Sequence, residues 1–460
     1  MEQIISVIDE KRALLEETAD FLWEHPETAF TEFQSAAYLC NVLRQEGFAV
    51  EENLAGIATA FSGTYGSGKP VIGILGEFDA LSGLSQQGCT TEQVSAGGEA
   101  GHGCGHNLLG TGSLGAAIAV KEWLKATGHP GTVIYFGCPG EEGGSGKAFM
   151  ARDGVFDGLD AAFCWHPSDN TKVRTCLSLA NYQVLYKFDG VASHAGGKPH
   201  LGRSALDAVE LMNVGVQFLR EHIPSSCRIH YAITDTGGFS PNVVQPHAEV
   251  LYLIRGVDNK TVAELYDRVN DIAKGAALMT GTKENHQFIK ACSNTITNDP
   301  MQYMLQEKME AIPAPAPTEE EEAFAREITT KSLTHVPTAD PEHPLWWETA
   351  PYTPEKQEFG STDVGDVSWV CPTAQIHTAC NARGTPGHSW QETSQAKTTF
   401  AKKMTVYAAK ILAAGAVEMM TNPALLEQAK ADHRKRVGPE GYQAPIPQGV
   451  RPISMDDLRK

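Results

Sequence analysis

Apolar runs that break off at ionisable residues recur through the first 170 positions of the chain. Residues 71–75 lead into Glu77-Phe78-Asp79, residues 132–138 into Pro139-Gly140-Glu141-Glu142-Gly143-Gly144, and residues 160–165 into His166-Pro167. Short, continuous apolar runs bounded by turn formers predict strands buried on both faces. The stretch 108–126 is dense in small residues and predicts a helix, with Asn107 as its cap. Strands interleaved with helices predict an open α/β sheet, whose working groups gather beyond the carboxyl ends of the strands. The three run-ends are therefore expected at one crevice.

Near Tyr182 the pattern begins a new cycle. Residues 182–189 predict a strand, 204–219 an amphipathic helix, 228–234 and 248–255 strands, 261–277 a helix and 286–291 a last strand. The order β-α-β-β-α-β is the ferredoxin-like split pattern. Residues 182–297 thus read as an inserted lid, and 1–181 with 298–460 as a discontinuous catalytic domain. A chain of 460 residues calls for two domains on size alone. Residues 301–333 turn helical again, with the acidic run 319–322 read as a solvated helix start that suits the helix dipole. The Pro- and His-containing stretch to Pro354 predicts a long surface connection with room for a role at a substrate rim.

The segment Gly101-His102-Gly103-Cys104-Gly105-His106-Asn107 brings a thiol and two imidazoles into a glycine-flexed turn. Cys104 and His106, two residues apart, cannot share a helix face, so they project from irregular backbone that glycine permits. Alone, the pair reads equally well as a buried cysteine beside a surface histidine. The adjacent Glu141 and Glu142 shift that balance. An arbitrary acidic pair is a solvated surface, but this one lies between a strand and a Gly-rich helix entrance. Neighbours on extended backbone point in different directions, so one carboxylate can bind metal while the other stays free as a base. His388, in Gly384-Thr385-Pro386-Gly387-His388-Ser389, adds an imidazole. With Cys104, His106, Glu142 and His166 it completes a mixed N/O/S set large enough for two borderline-soft divalent ions.

The order Asp79, Cys104-Gly105-His106, Glu141-Glu142, His166, Ser193-His194-Ala195 and Gly387-His388 resembles the M20 family of metallopeptidases and amidohydrolases. The Cys-Gly-His turn is similar to that of its M20D subfamily. More narrowly, Gly105-His106-Asn107-Leu108, the stretch from Gly360 to Trp369 and the closing Pro445-Ile446-Pro447 resemble the branch of p-aminobenzoyl-glutamate hydrolase-like proteins. The resemblance implies an α/β catalytic domain with a mixed sheet flanked by helices, two zinc or manganese ions, and cleavage of the amide bond of an N-acyl amino acid. It implies Glu141 as general base and Asp79 as the residue that orients a metal ligand. His194 and Asn242 would reach the reaction centre of a neighbouring subunit, and Arg255 would hold a substrate carboxylate. Without the resemblance these three read as a core histidine, a turn asparagine and a surface arginine. Glu77 stands where many members have histidine or aspartate, and His102 is close enough to replace an assigned ligand. Asn107 stands where the aminoacylase branch has aspartate, which removes a charge near the metals.

Composition narrows the field. An apolar content of 42% without low-complexity repeats indicates packed domains. A net charge of −19 argues against nucleic-acid binding, because phosphates would be repelled. A local arginine can still hold an anionic substrate, since distant charges are screened. No secretory signal or membrane-length apolar stretch is visible, and ten scattered cysteines suit reduced thiols in a cytoplasm. Three function classes follow. The first is a homodimeric amidohydrolase or dipeptidase. The second is a partner subunit that lends lid residues to a homologous chain, and the third is a non-catalytic metal protein. The third predicts a closed ligand shell, whereas Glu141 beside Glu142 leaves a spare carboxylate.

Overall fold

In a computed structural model, which describes residues 2–458, the chain divides into two units. The larger comprises Met1–Leu177, Ile296–Lys356 and Val367–Gln443. The smaller comprises Ser178–Thr295 together with Gln357–Asp366 and Ala444–Lys460. Chain order alone assigns the last two segments to the larger part. The hydrogen bonds that Asp366 accepts from the Ser293 amide (2.9 Å) and hydroxyl (2.7 Å) tie one of them instead to the end of the insert.

The larger unit is built on eight strands in the order Ala49–Glu52, Phe61–Ser67, Gly131–Cys138, Val71–Glu77, Ala161–Ser168, Thr373–Ala379, Asn170–Arg174 and Trp346–Thr349. The four from Gly131–Cys138 to Thr373–Ala379 run parallel, flanked by antiparallel neighbours, so the sheet is mixed. The predicted strands 71–75, 132–138 and 160–165 are the cores of three of them. Helix His106–Thr127 packs on the sheet and helix Thr399–Thr421 packs beside it. Small residues make the first approach possible. A Cβ on Gly112 would stand 2.8 Å from the Trp165 ring, and one on Gly110 2.7 Å from the Glu77 carbonyl.

Several local expectations give way. Asn107 does not cap its helix. Gly105, at φ 71°, turns the chain into it, and Asn107 lies inside, donating to the carbonyls of Ala19 (3.2 Å) and Ala396 (3.1 Å). A left-handed entry suits glycine far better than a branched amide. The helical stretch after 300 is two helices, Asp299–Ala311 and Glu319–Ser332, parted by Pro313, Pro315 and Pro317. The acidic run is only partly solvated. Glu321 closes a capping box with Thr318, and its carboxylate is buried against Lys403 Nζ at 2.6 Å. The connection to Pro354 includes the strand Trp346–Thr349, which pairs parallel with Asn170–Arg174.

The smaller unit has one antiparallel sheet in the order Arg228–Asp235, His247–Gly256, Ala180–Asp189 and Lys283–Cys292. Helices Ala205–Leu219 and Asn259–Thr280, N-capped by Ser204 and Asp258, cover one face. Along His247–Gly256 burial alternates strictly: Ala248, Val250, Tyr252 and Ile254 are buried, while the residues between them are more open. That two-residue period is what a sheet with one covered face requires.

Candidate metal centre

The carboxyl ends of the central parallel strands supply most of the cluster. Strand Val71–Glu77 ends in Glu77 and delivers Asp79, strand Gly131–Cys138 leads to Glu141 and Glu142, and His166 lies near the end of Ala161–Ser168. Cys104 and His106 enter at the head of the helix His106–Thr127, and His388 follows Thr373–Ala379. Glu141 and Glu142 are not on extended backbone. Gly140, at φ 66°, starts the helical turn Glu141–Gly144, so their side chains diverge by about 100° instead of pointing to opposite sides.

Ligand-type atoms of Cys104, His106 and His166 lie within 4.8 Å of one another, as do those of Cys104, Glu142 and His388. These two triads contain all five residues singled out in the sequence and share the thiol. A third group, Glu77, His106 and Glu141, lies within the same limit. Individual contacts set the roles available. His106 Nδ1 donates to Asp79 Oδ1 at 2.9 Å, and Asp79 Oδ2 accepts from the Glu142 amide at 2.9 Å. His166 Nδ1 donates to its neighbour's carbonyl at Pro167 (2.6 Å), leaving Nε2 as the lone-pair nitrogen, 3.4 Å from Cys104 Sγ. His388 Nε2 stands 3.2 Å from Glu142 Oε2.

Burial makes these groups costly as they stand. His106 Nε2 and Glu142 Oε1 are buried without a hydrogen-bond partner among the described residues. Burial lifts the Glu142 pKa, but hydrogen bonding to His388 and the charge of His106 outweigh it and hold the group at about 2. Burial and the His106 charge hold His166 down to about 4. The Cys104 thiol is pushed well up by burial and by Glu142. A buried imidazole nitrogen and a buried carboxylate oxygen without partners, the lone pair of His166 Nε2, a thiol and several buried carboxyls in one place fit divalent cations, which would replace the proton on His106 Nε2 as the source of positive charge and draw the thiol to its thiolate form.

Three residues that the sequence pattern does not single out complete the surroundings. Lys147, fully buried, reaches Glu77 Oε1 at 2.8 Å, and Glu77 Oε2 is 3.3 Å from His106 Nε2. Glu32, also fully buried, accepts from the Gly140 amide (2.8 Å) and the Thr59 hydroxyl (2.8 Å), fixing the turn just before Glu141. Burial and the nearby Asp79 raise its pKa to about 8. Glu392 accepts from the His388 amide at 3.2 Å and from Asn381 at 3.2 Å. Its spacing from Ser389 is that of a capping box, a signal that reads as an exposed helix start and hides the buried carboxyl. His102 belongs to none of the triads: it is buried with Nε2 on the Leu22 carbonyl at 2.9 Å.

In the smaller unit His194 and Asn242 are neighbours and Arg255 is remote from them. The Ala195 amide donates to the Asn242 carbonyl at 2.9 Å. His194 Nδ1 accepts from the amides of Gly196 (3.1 Å) and Gly197 (3.0 Å), which places its proton on Nε2, and the ring is exposed. Both residues lie in segments beyond the Asp189 and His247 end of the sheet. Arg255 sits eight residues along from His247, about 27 Å at strand rise, and donates to Ser361 Oγ at 2.8 Å.

Residues 74–383 match the profile of Peptidase family M20/M25/M40. The chain is 46% identical to one of the subunits of p-aminobenzoyl-glutamate hydrolase from Escherichia coli, over 98% of this chain and 99% of that protein. It is 28% identical to the other named subunit of the same hydrolase, over 52% of this chain and 57% of that one. Among solved structures, the Bacillus subtilis YxeP protein, a dinuclear metal-binding peptidase, superposes with a TM-score of 0.58 at 17% identity, covering 90% of this chain and 99% of that one.

Proposed function

The chain belongs to peptidase family M20/M25/M40 and is a metal-dependent hydrolase of amide bonds, and on that premise we propose that it cleaves p-aminobenzoyl-glutamate to p-aminobenzoate and glutamate. The observation that carries this reading is the near full-length 46% identity to one component of that hydrolase, in a chain whose ligand-type side chains gather in two triads that share Cys104. Cys104, His106, Glu142, His166 and His388 would hold two ions, zinc or manganese. Bound there, the ions would polarise the amide carbonyl and acidify a water. Asp79, by accepting the hydrogen bond of the His106 Nδ1–H, holds the ring in the tautomer whose Nε2 would act as a ligand. Glu141 is the base: it takes a proton from the attacking water and returns it to the departing nitrogen, since an amine anion is too poor a leaving group near pH 7.

His194 offers its Nε2 proton to the oxygen that gains charge during attack, and Arg255 holds a substrate carboxylate. With about 27 Å of strand between His247 and Arg255, one copy of the small unit does not bring His194 and Arg255 to the same small substrate. The reading therefore includes a homodimer in which each lid serves two sites, with Asn242 beside His194. Supporting this are the outer edge strand Arg228–Asp235, with Tyr231 and Ile233 exposed, and the exposed Leu211, Val214 and Phe218 of helix Ala205–Leu219. No helix among the described residues is long and apolar enough to cross a membrane. We assign the protein to the cytoplasm, in keeping with ten free thiols.

A second reading has one specific support. The 46% identical relative is named as one component of a hydrolase whose other named component also resembles this chain. Assay of the purified chain alone, with Mn²⁺ or Zn²⁺, against p-aminobenzoyl-glutamate and other N-acyl amino acids separates the two. Turnover by the single chain is expected. Turnover only after addition of a homologous second chain would replace the homodimer with a heteromer, and none in either case would overturn the assigned substrate.

A further inference from the structure

His106 can offer one nitrogen to a cation, because its Nδ1 is committed to Asp79 at 2.9 Å. Two groups of side chains include this residue: Cys104 and His166 on one side, Glu77 and Glu141 on the other, each with its ligand-type atoms within 4.8 Å of one another. An ion in either group would use the same Nε2. That nitrogen is fully buried and without a hydrogen-bond partner among the described residues, with Glu77 Oε2 3.3 Å away. One ion at His106 therefore has two alternative seats. The first gives it a thiolate and two imidazoles, the second two carboxylates and one imidazole. Thiolate suits zinc, whereas carboxylate suits manganese and harder ions. The second seat would also take up Glu141, whose lone pairs a base must keep free.

Lys147 stands at the second seat. Its Nζ lies 2.8 Å from Glu77 Oε1, and both side chains are buried. Ser145, buried and left-handed at φ 56°, parts the turn Glu141–Gly144 from the helix Gly146–Arg152 and puts Lys147 in the first turn of that helix. This placement has three costs. A left-handed serine is strained, a cation in the first turn opposes the helix dipole, and a buried ammonium gives up its hydration. Well-packed apolar side chains would fill the same space without them, so packing alone does not select the ion pair. Its effect on the centre is direct, because a divalent ion drawn onto Glu77 would lie beside a fixed ammonium and be repelled.

We propose that Lys147 sets the seat and the preference of the ion at His106: by holding Glu77 it closes the carboxylate seat, keeps the ion on Cys104 and His166, favours zinc over manganese there and leaves Glu141 uncoordinated. The inference rests on the ligand set and the base of the proposed function. Lys147 is in this sense a positioning residue, acting through Glu77.

The test follows metal binding without substrate in the wild type, K147M, E77Q and the double variant E77Q/K147M. Methionine keeps most of the lysine stem, and the double variant removes both charges together. Competition between Zn²⁺ and Mn²⁺ for the purified protein is expected to shift toward Mn²⁺ by about tenfold in K147M and to return to the wild-type ratio in the double variant. In the cobalt-loaded proteins the thiolate-to-cobalt charge-transfer absorption is expected to weaken in K147M, as one ion leaves Cys104, and to recover in the double variant. A merely structural role would not give that recovery. A wild-type metal ratio and cobalt spectrum in K147M overturn the proposal, as does a shift that persists in the double variant. Should K147M fail to fold, E77Q decides: it is expected to hold as many ions as the wild type, and loss of an ion would make Glu77 a ligand and overturn the proposal. Failure to cleave p-aminobenzoyl-glutamate would bear on the substrate reading alone, since no substrate enters these measurements.

Discussion

Beyond the parallel strands of the larger unit, ionisable groups are buried and interlocked: one Asp79 carboxylate engages both the His106 ring and the Glu142 amide. In the smaller unit the groups of interest are spread over the length of a sheet, with His194 exposed beyond one end and Arg255 near the other. On the proposed roles, the first arrangement would hold ligands, base and orienting residue within a single chain. The second, on the proposed roles, is an incomplete set that would act only on a site brought to it. Converging strand ends bring ionisable groups together, whereas a long antiparallel sheet keeps its two ends apart.

The hardest test of the self-contained cluster is Glu141→Gln. It keeps size and shape while removing basicity, so turnover should fall by roughly two to four orders of magnitude. Metal content, read by elemental analysis, should stay near that of the wild type, whereas Cys104→Ala should lose metal because both triads share that thiol. Metal loss in Glu141→Gln with retention in Glu142→Gln would exchange the two roles.

The incomplete set is broken or confirmed by subunit mixing. Glu141→Gln and His194→Ala chains, each inactive, should regain roughly a quarter of wild-type activity on a statistical distribution of two-fold dimers. The hybrid has one site with an intact base and an intact lid histidine, while its other site lacks both. No recovery between folded, exchanging chains means that His194 serves its own protomer or none.

The same contrast explains what the sequence disclosed. The five metal-ligand candidates were legible because glycine turns and strand-ending acids mark them locally. The split β-α-β-β-α-β order was legible because burial alternates so regularly in strands such as His247–Gly256. Glu32, Lys147 and Glu392 were not, because each matters through a partner far along the chain or through a motif that mimics a helix cap. Glu32 and Gly140 are 108 residues apart.

A middle-sized effect probes how the Glu141 turn is held. Glu32→Ala leaves the buried Gly140 amide and Thr59 hydroxyl without their acceptor, which should cost about 1–3 kcal/mol per stranded group in denaturant unfolding. Glu32→Gln retains an acceptor for the Gly140 amide and should recover most of that loss. An Ala variant as stable as the wild type would show that the turn needs no such support.

The smallest expected effect lies at the end of the smaller sheet where His247 pairs with Asp189 at 2.8 Å and with Glu249 at 3.1 Å. The His247 pKa is raised, first by its hydrogen bond to Asp189 and also by Glu249, against a lowering from burial. A folded pKa above the unfolded value near 6.5 means that the protonated ring stabilises the native state. That stabilisation is fully present below the unfolded pKa and is lost as pH rises through the folded one. The side chain is 37% exposed, so screening limits the effect to less than about 1 kcal/mol. The unfolding midpoint of the wild type should therefore exceed that of His247→Gln by most near pH 5.5, and the gap should narrow as pH rises and as salt is added. A gap independent of pH would mean that His247 contributes by packing alone, and its pairs with Asp189 and Glu249 would lose their energetic basis.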